Sequence, residues 1–324
     1  MITGIRSKNR QLLAQAITLV ESTEAIDRKT AEILLGRIAS DSKKLTGRIV
    51  ITGSPGAGKS TLINALGNEM VKSGKSVAIL ATDPSSAISR GSIMGDKTRM
   101  ADIGNNDSVF IRPTPSGNYL GGISKSTLET IQICEAAEFD FIILETVGVG
   151  QSEYESYKLS DIFLLLLNPG AGDEIQGIKR GIMEMADIVC INKYDTTTKD
   201  IADATEKKYK NAVKLLQNNR ADWETKVFKV SSIEQTGIPE LWECIHSYLE
   251  DRLESGHVER QRIDNNLSIL QEKAENYLLS KHLADSAIQT VIENSRAKIA
   301  NKESSLLNAL QEMYVELEKI FKNS

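Results

Sequence analysis

One motif constrains the fold of this chain more than any other feature. It is the run Gly53-Ser54-Pro55-Gly56-Ala57-Gly58-Lys59-Ser60, which matches the pattern GxxxxGK(S/T). A strand-like segment, RIVIT, precedes the motif, and a helical pattern, STLINALGNEMVKS, follows it. Glycines between a strand and a helix let backbone N–H groups converge on phosphate oxygens at the helix N-terminus. The sequence therefore predicts a P-loop nucleotide-binding fold.

The motif also assigns individual phosphate contacts. We expect Lys59 to reach the β- and γ-phosphates, the Ser60 hydroxyl to bind Mg²⁺, and Thr61 to reach the α-phosphate. The predicted nucleotide-binding residues of this segment are Ser54, Pro55, Gly56, Ala57, Gly58, Lys59, Ser60 and Thr61. The expected cofactors are thus a nucleoside triphosphate or diphosphate and Mg²⁺.

Hydrophobic periodicity predicts an α/β fold with helical additions at both ends. Seven short apolar segments alternate with amphipathic stretches from RIVITG to KVFKVSS. This alternation is typical of a mainly parallel sheet with helices on both faces. We expect a helical N-terminal extension at 1–46, a P-loop domain at 47–255, and a helical arm at 256–324. After Gly256 the chain has neither Gly nor Pro, which predicts two or three long helices.

A second candidate site element closes the segment DFIILET. Because P-loop hydrolases place an acid near Mg²⁺ at the end of another strand, Glu145 is the candidate ligand. Gly148 follows three residues later, and its backbone N–H could sense the γ-phosphate in a switch loop. Gln151 is a candidate for activating water, and it could equally cap the next helix.

Charged residues after the second predicted strand supply further candidates. Asp83 and Asp96 could hold Mg²⁺-bound waters, although Asp83 could also simply cap a turn with Pro84. In the same segment Lys97 and Arg99 could stabilise charge in the transition state. A solvated basic pair is an equally good interpretation of these two residues.

The residues of the sequence NKYD predict recognition of guanine. They follow the strand-like segment DIVCI, far downstream of the P-loop. A carboxylate here can accept hydrogen bonds from guanine N1–H and the 2-amino group, which adenine lacks. Further on, a serine pair ends KVFKVSS and could offer a backbone N–H to guanine O6. The predicted base-site residues are Asn192, Lys193, Asp195, Ser231 and Ser232.

Composition limits the remaining function classes. With 39 Lys+Arg against 44 Asp+Glu, no general attraction to nucleic acid or anionic lipid is expected. No run approaches the ~18 apolar residues of a membrane span, and no secretion signal is recognisable at the start, so we expect a cytoplasmic protein. Cys134, Cys190 and Cys244 form no CxxC pair and are expected to be buried, reduced and inert.

Six segments together resemble one GTPase family. They are GSPGAGKST, ATDPSS, MGDKTRM, ETVGVGQSE, PGAGDEIQGIKRG and NKYD. The combination is similar to the methylmalonyl-CoA mutase-associated GTPases, which also carry the name lysine/arginine/ornithine transport ATPases. The resemblance covers roughly residues 30–255. It implies a SIMIBI-class P-loop GTPase that forms a homodimer through helical extensions.

The resemblance also implies a function and a set of switches. The implied function is a GTP-hydrolysing chaperone that gates adenosylcobalamin loading, protection or reactivation of an acyl-CoA mutase. Mg²⁺ recognition would fall on Ser60, Asp83, Asp96 and Glu145. The three switches would lie around 83–100, 145–154 and 169–181, and the third would offer Asp173, Glu174, Lys179 and Arg180 to a partner. Arg90 departs from the family pattern, which more often has two glycines before the GDK segment.

Three other functions stay open from the sequence. A metallochaperone GTPase of the same structural class would need soft or imidazole ligands, and the chain has His246, His257 and His282 in helical stretches. A transport-coupled kinase fits less well, because NKYD disfavours ATP as the donor. A scaffold that binds GTP without hydrolysis is also conceivable. The chain carries no DxHxxG cobalamin pattern, so we expect the cofactor on the client protein.

Overall fold

The computed structural model divides into two compact units, Met1–Arg262 and Ile263–Ser324. It describes residues 1–39, 44–83, 101–115, 125–146, 151–169, 180–195, 199–216 and 223–323. The predicted domain boundaries at 46/47 and 255/256 remain proposals. Among the described helices, none is long and apolar enough to cross a membrane.

The first unit is built on a parallel sheet with the strand order β3-β2-β4-β1-β5-β6-β7. Every neighbouring pair of strands is parallel. The strands are β1 (Gly47–Gly53), β2 (Val77–Asp83), β3 (Val109–Pro115), β4 (Phe141–Glu145), β5 (Ile162–Leu167), β6 (Ile188–Ile191) and β7 (Lys226–Lys229). All seven coincide with apolar segments that the sequence predicts as strands, although β1, β2 and β3 extend one or two residues beyond theirs.

Helices connect these strands and extend the chain at both ends. In the first unit they are α1 (Ile2–Arg6), α2 (Arg10–Glu21), α3 (Ala25–Ala39), α4 (Lys59–Lys72), α5 (Ala101–Gly104), α6 (Lys125–Ala136), α7 (Gln151–Tyr157), α8 (Arg180–Met185), α9 (Lys199–Leu216) and α10 (Ile238–Glu254). The helix α11 (His257–Leu283) begins in the first unit and continues into the second, which also contains α12 (Ser286–Ala300) and α13 (Leu306–Asn323).

The sheet is covered on both faces because its central strands are apolar on both sides. Every residue of β5 is buried, as in parallel sheets packed between helices. On one face, Leu66 of α4 and Trp242 of α10 join the main core, and Trp242 meets Phe141 edge to face at 5.2 Å. On the other face, Tyr209 of α9 packs with Leu165 and Val189. The predicted α/β fold with helices on both faces is therefore confirmed.

The prediction that all three cysteines are buried is wrong for Cys244. Cys134 and Cys190 are fully buried, whereas Cys244 is half-buried. Cys244 lies on α10 beside the stripe formed by Leu241, Ile245 and Tyr248, which face the core, and helical geometry places it at the edge of that stripe.

A buried ionic cluster joins the start of α11 to the amino-terminal edge of the sheet. Arg262 Nε donates to Asp161 Oδ1 at 2.8 Å, and Arg262 Nη1 lies 3.2 Å from Glu135 Oε1. Arg48 Nη2 contacts the same Glu135 oxygen at 2.7 Å. The Asp161 side chain is only 1% exposed, so its charge depends on this guanidinium.

We expect Arg262→Met to lower the free energy of unfolding by about 3–5 kcal/mol, because it leaves the Asp161 carboxylate buried beside an uncharged side chain. Urea unfolding followed by circular dichroism measures the change. Arg260→Met is the matched control, since Arg260 is exposed two positions earlier on the same helix. Equal stability of the two variants would contradict this prediction.

A second cluster of polar residues makes the stability of the fold fall at acidic pH. Lys44 Nζ donates to Asp140 Oδ1 at 2.6 Å, and the backbone N–H of Ser76 donates to Asp140 Oδ2 at 2.8 Å. Burial alone would raise the pKa of Asp140, but the hydrogen bonds from Lys44 and Ser76 outweigh it and lower the pKa to about 2.

Because the folded-state pKa of Asp140 lies below its unfolded value, its stabilising contribution is full above the unfolded pKa and disappears as the pH falls towards 2. We expect Asp140→Asn to lower the free energy of unfolding by about 1 kcal/mol near neutral pH, after discounting for solvent screening. The loss should become progressively smaller at lower pH. Unfolding titrations across this range test it, with Asp107→Asn on the exposed surface as control. A cost that does not change with pH would exclude the carboxylate as its source.

Candidate functional site

The candidate site lies at the carboxyl-terminal edge of the sheet, where the strand order places β1 between β4 and β5. In open α/β sheets, ligands bind outside the carboxyl ends of the strands where the strand order switches direction. The P-loop leaves β1 at this point and enters α4. The strands β4 and β6 end at the same edge, so topology brings Glu145 and the NKYD segment to the P-loop.

Two glycines of the P-loop occupy positions where a side chain would collide with neighbouring segments. Gly58, the N-cap of α4, has φ +93°, and a Cβ there would lie 2.5 Å from Asn192 Nδ2. At Gly53 a Cβ would lie 2.3 Å from the carbonyl oxygen of Leu166 on β5. The loop therefore packs closely against both the NKYD segment and the neighbouring strand.

Lys59 lies inside the P-loop. Its side chain is largely buried, and its ammonium group donates to the carbonyls of Gly53 at 2.7 Å and Ser54 at 3.2 Å. Burial lowers the pKa of Lys59, and the negative charges of Glu145 and Glu153 partly offset this effect. Among the residues that the structure describes, this buried cation is bonded to neutral carbonyls, and such a cation is suited to take up an anionic ligand such as a phosphate.

Ser60 and Glu145 lie side by side. The Ser60 hydroxyl at the start of α4 donates to Glu145 Oε1 at 3.1 Å, which joins the P-loop helix to the end of β4. Glu145 is 9% exposed, and the next residue, Thr146, donates through Oγ1 to Thr52 Oγ1 at 2.8 Å. A hydroxyl and a carboxylate in contact form a pair of hard oxygen donors, which fits Mg²⁺.

Several predicted residues of this site lie outside the described part of the chain. These are Asp96, Arg99 and Gly148, together with Lys97, Arg90 and residues 170–179 of the third switch. Asp83 ends β2 at the same edge of the sheet, but its side chain lies outside the description, as does that of Gln151. Thr61 is exposed in the first turn of α4.

The structure adds one acidic residue that sequence reasoning missed. Glu153 on α7 is only 2% exposed, and its Oε2 has no hydrogen-bond partner within the described chain. Its negative charge opposes the effect of burial on the pKa of Lys59, which indicates that Glu153 lies near this lysine. The sequence pattern GVGQSE gave its position but not its burial, because acids in short helices are usually solvated.

The NKYD segment contacts the P-loop directly. Asn192 Nδ2 donates to the carbonyl of Ala57 at 2.9 Å, and Lys193 Nζ donates to the carbonyl of Gly56 at 2.7 Å. Asn192 is buried, and its Oδ1 accepts from Ser232 Oγ at 2.7 Å. These bonds fix the distance between the P-loop, which is the predicted phosphate end of the site, and the NKYD segment, which is the predicted base end.

Asp195 and the serine pair meet at the base end. Ser231 Oγ donates to Asp195 Oδ1 at 2.7 Å, which orients the carboxylate predicted to recognise guanine. The Ser231 hydroxyl also accepts from the backbone N–H of Glu234 at 3.0 Å. Ser232 N lies 3.2 Å from Asn192 Oδ1. The predicted base-site residues thus form one connected group.

Comparison with known proteins decides the family. The sequence model of the methylmalonyl-CoA mutase-associated GTPase MeaB matches residues 13–287. The chain belongs to this family. The MeaB match includes both the P-loop and the NKYD segment, so the predicted family and the predicted enzyme class, a GTPase, are both confirmed. The P-loop GTPase fold implies that the chain binds a guanine nucleotide.

Individual relatives are similar to the chain over most of its length. The chain is 42% identical over 271 residues to the mouse protein named methylmalonic aciduria type A homolog, mitochondrial. The matched region spans 81% of this chain and 65% of that relative. It is 36% identical over 312 residues to the protein of Escherichia coli K12 named GTPase ArgK, covering 96% and 94% of the two chains.

A crystal structure named as a LAO/AO transport system kinase shows the same fold as this MeaB-family chain. The TM-score is 0.78 at 31% identity, with 98% of this chain and 96% of that chain covered. The helical termini of the MeaB-family chain are therefore part of the shared architecture.

Proposed function

We propose that the protein is a GTP-hydrolysing chaperone of an adenosylcobalamin-dependent acyl-CoA mutase such as methylmalonyl-CoA mutase. The observation that supports this client is the match to a family that is named for its association with methylmalonyl-CoA mutase. In this proposal the nucleotide state sets the affinity for the mutase. It thereby gates loading, protection or reactivation of the cofactor, which binds on the client.

We propose a distinct role for each residue at the phosphate end of the site. Lys59 binds the β- and γ-phosphates, and Ser60 and Glu145 hold Mg²⁺ with help from Asp83 and Asp96. When bound, Mg²⁺ neutralises charge on the phosphate oxygens. The support from the structure is the 3.1 Å contact between Ser60 and Glu145 and the burial of Lys59 among loop carbonyls.

Residues of the switches complete the proposed hydrolytic machinery. The Gly148 N–H would sense the γ-phosphate, and Arg99 would stabilise the developing charge. Since the sequence motifs assign water activation to no glutamine or arginine beyond the candidate Gln151, we propose slow intrinsic hydrolysis that the client accelerates. A cytoplasmic location remains a prediction from the sequence.

The base end supports guanine specificity. Asp195 is held by Ser231, and Asn192 is held by both Ala57 and Ser232. In the proposal Asp195 accepts from guanine N1–H and the 2-amino group. The serine pair Ser231-Ser232 would offer a backbone N–H to O6, in exchange for a present acceptor such as Asn192 Oδ1, and the Lys193 stem lies along the ring.

We further propose that the protein is a homodimer formed through its C-terminal arm. The helices of the second unit expose many large apolar side chains, more than a solvated surface requires. These are Ile263, Leu267, Leu270, Tyr277, Leu278, Leu279, Leu283, Ile299, Leu306, Leu307, Tyr314, Val315 and Phe321. Sedimentation equilibrium tests this proposal, and a monomer at all concentrations would contradict it.

Binding between the two proteins tests the client directly. Isothermal titration of a purified adenosylcobalamin-dependent acyl-CoA mutase into the protein is measured with GDP and with a non-hydrolysable GTP analogue. We expect binding in at least one nucleotide state and a clear difference in affinity between the two. The absence of binding in both states would refute the proposed client while leaving the GTPase assignment intact.

A further inference from the structure

The backbone of the guanine-recognition segment carries local strain. Lys193 has φ +59°, a left-handed conformation that residues with a side chain rarely adopt. Such a conformation persists only when neighbouring contacts hold it. The next residue, Tyr194, donates its backbone N–H to the carbonyl of Val230 at 3.2 Å. Contacts around Tyr194 therefore bear on the position of Asp195, one residue further on.

Lys229 lies at the centre of those contacts. It is the last residue of β7, and its ammonium group contacts Asp203 Oδ1 at 2.6 Å and Glu206 Oε2 at 3.1 Å on α9. These hydrogen bonds raise the pKa of Lys229, so it stays charged. Because α9 is the helix that follows the NKYD segment, this link fixes the beginning of that helix against the edge strand.

The same ammonium group lies over the ring of Tyr194. The distance from Lys229 Nζ to the ring centroid is 5.1 Å, and Lys199 Nζ on α9 lies 5.9 Å from that centroid. Both distances are within the range of a cation–π attraction. The Tyr194 side chain, at the variable position of NKxD, is thus held by charges from β7 and from α9.

Lys229 is also connected to the serine pair by the chain itself. Val230 follows it and accepts the Tyr194 N–H, and Ser231 comes next and donates to Asp195. Lys229 therefore contacts Tyr194 of the NKYD segment and lies two residues before Ser231 of the serine pair.

We propose that Lys229 is a positioning residue for guanine recognition, which holds Tyr194 and the start of α9 against β7 so that Asp195 meets both N–H groups on the guanine edge. The inference rests on the proposed role of Asp195 and not on any client. Its effect is on selectivity for the base, whereas the phosphate contacts of Lys59 and Ser60 stay in place.

The test compares GDP with IDP, whose base lacks the 2-amino group. The ratio of the two dissociation constants reports how well Asp195 engages that group, whereas a general loss of structure weakens both ligands alike. We expect Lys229→Met to weaken GDP binding about fivefold and to change IDP binding much less, so the IDP/GDP ratio falls. Lys229→Arg keeps the charge and should restore most of the ratio.

Two further variants complete the test. Lys226→Met is the matched control on the same strand, because Lys226 contacts Glu224 and Trp223 instead of the NKYD segment. Asp203→Asn weakens the anchor from α9 without changing β7, and we expect a smaller fall of the ratio. An unchanged ratio in Lys229→Met, or an equal loss for GDP and IDP, overturns the inference. A parent protein that binds IDP as tightly as GDP contradicts the role of Asp195 itself, and the inference fails with it.

Discussion

Changing Lys59 to Ala is expected to reduce the rate of GTP hydrolysis by at least about 100-fold, the scale of losing one charge-stabilising donor at a reacting phosphate. The reason is the position of this ammonium group, which is largely buried and bonded to the carbonyls of Gly53 and Ser54. Release of phosphate under saturating GTP measures the loss. The same experiment separates a hydrolase from a scaffold that binds GTP without turning it over.

The matched control for this variant is Lys72→Ala. Lys72 is the last residue of the same helix, and its side chain is 62% exposed and contacts Glu69. We expect the control to hydrolyse GTP at the parental rate. Parental turnover in Lys59→Ala would exclude the proposed phosphate site, provided that the parent protein is active.

Changing Asp195 to Asn is expected to transfer selectivity from guanine to xanthine. Ser231 Oγ donates to Asp195 Oδ1 at 2.7 Å, so the amide of an asparagine would turn its oxygen towards Ser231. Its NH₂ group would then face the base, where it opposes the 2-amino group of guanine but can donate to the 2-carbonyl of xanthine. We expect kcat/KM for GTP to fall by roughly 100-fold or more, and kcat/KM for XTP to rise.

The control for this exchange is Asp200→Asn. Asp200 is exposed in the first turn of α9, outside the contacts of the base end. We expect this variant to keep the parental preference for GTP. A fall of kcat/KM for GTP in Asp195→Asn without a rise of kcat/KM for XTP would contradict this prediction. It would show that the carboxylate supports the fold of the segment and does not recognise the base.

The sequence predicts the parts of this site whose chemistry requires fixed spacing. The P-loop must place glycines, Lys59 and Ser60 in consecutive positions between a strand and a helix. The NKYD segment likewise places the residues that contact the P-loop and the predicted guanine site within four consecutive positions at a strand end. The seven strands follow from apolar segments, because burial on both faces of a parallel sheet demands continuous hydrophobic runs.

Features that depend on contacts between distant segments could not be predicted in this way. The strand order places β1 between β4 and β5, and no local pattern encodes it. The burial of Glu153 and the contacts of Lys229 with Asp203 and Tyr194 arise only after the helices pack on the sheet. A lysine at the end of an edge strand is ordinarily a solvated residue, so its sequence position carries no signal.

Steady-state hydrolysis of GTP, with and without a purified adenosylcobalamin-dependent acyl-CoA mutase, tests the proposed function most directly, with ATP as the control nucleotide. We expect slow turnover of GTP by the protein alone, stimulation by the mutase, and little turnover of ATP in either case. GTP turnover that is indifferent to the mutase would contradict the chaperone function, and equal use of ATP and GTP would contradict the guanine site.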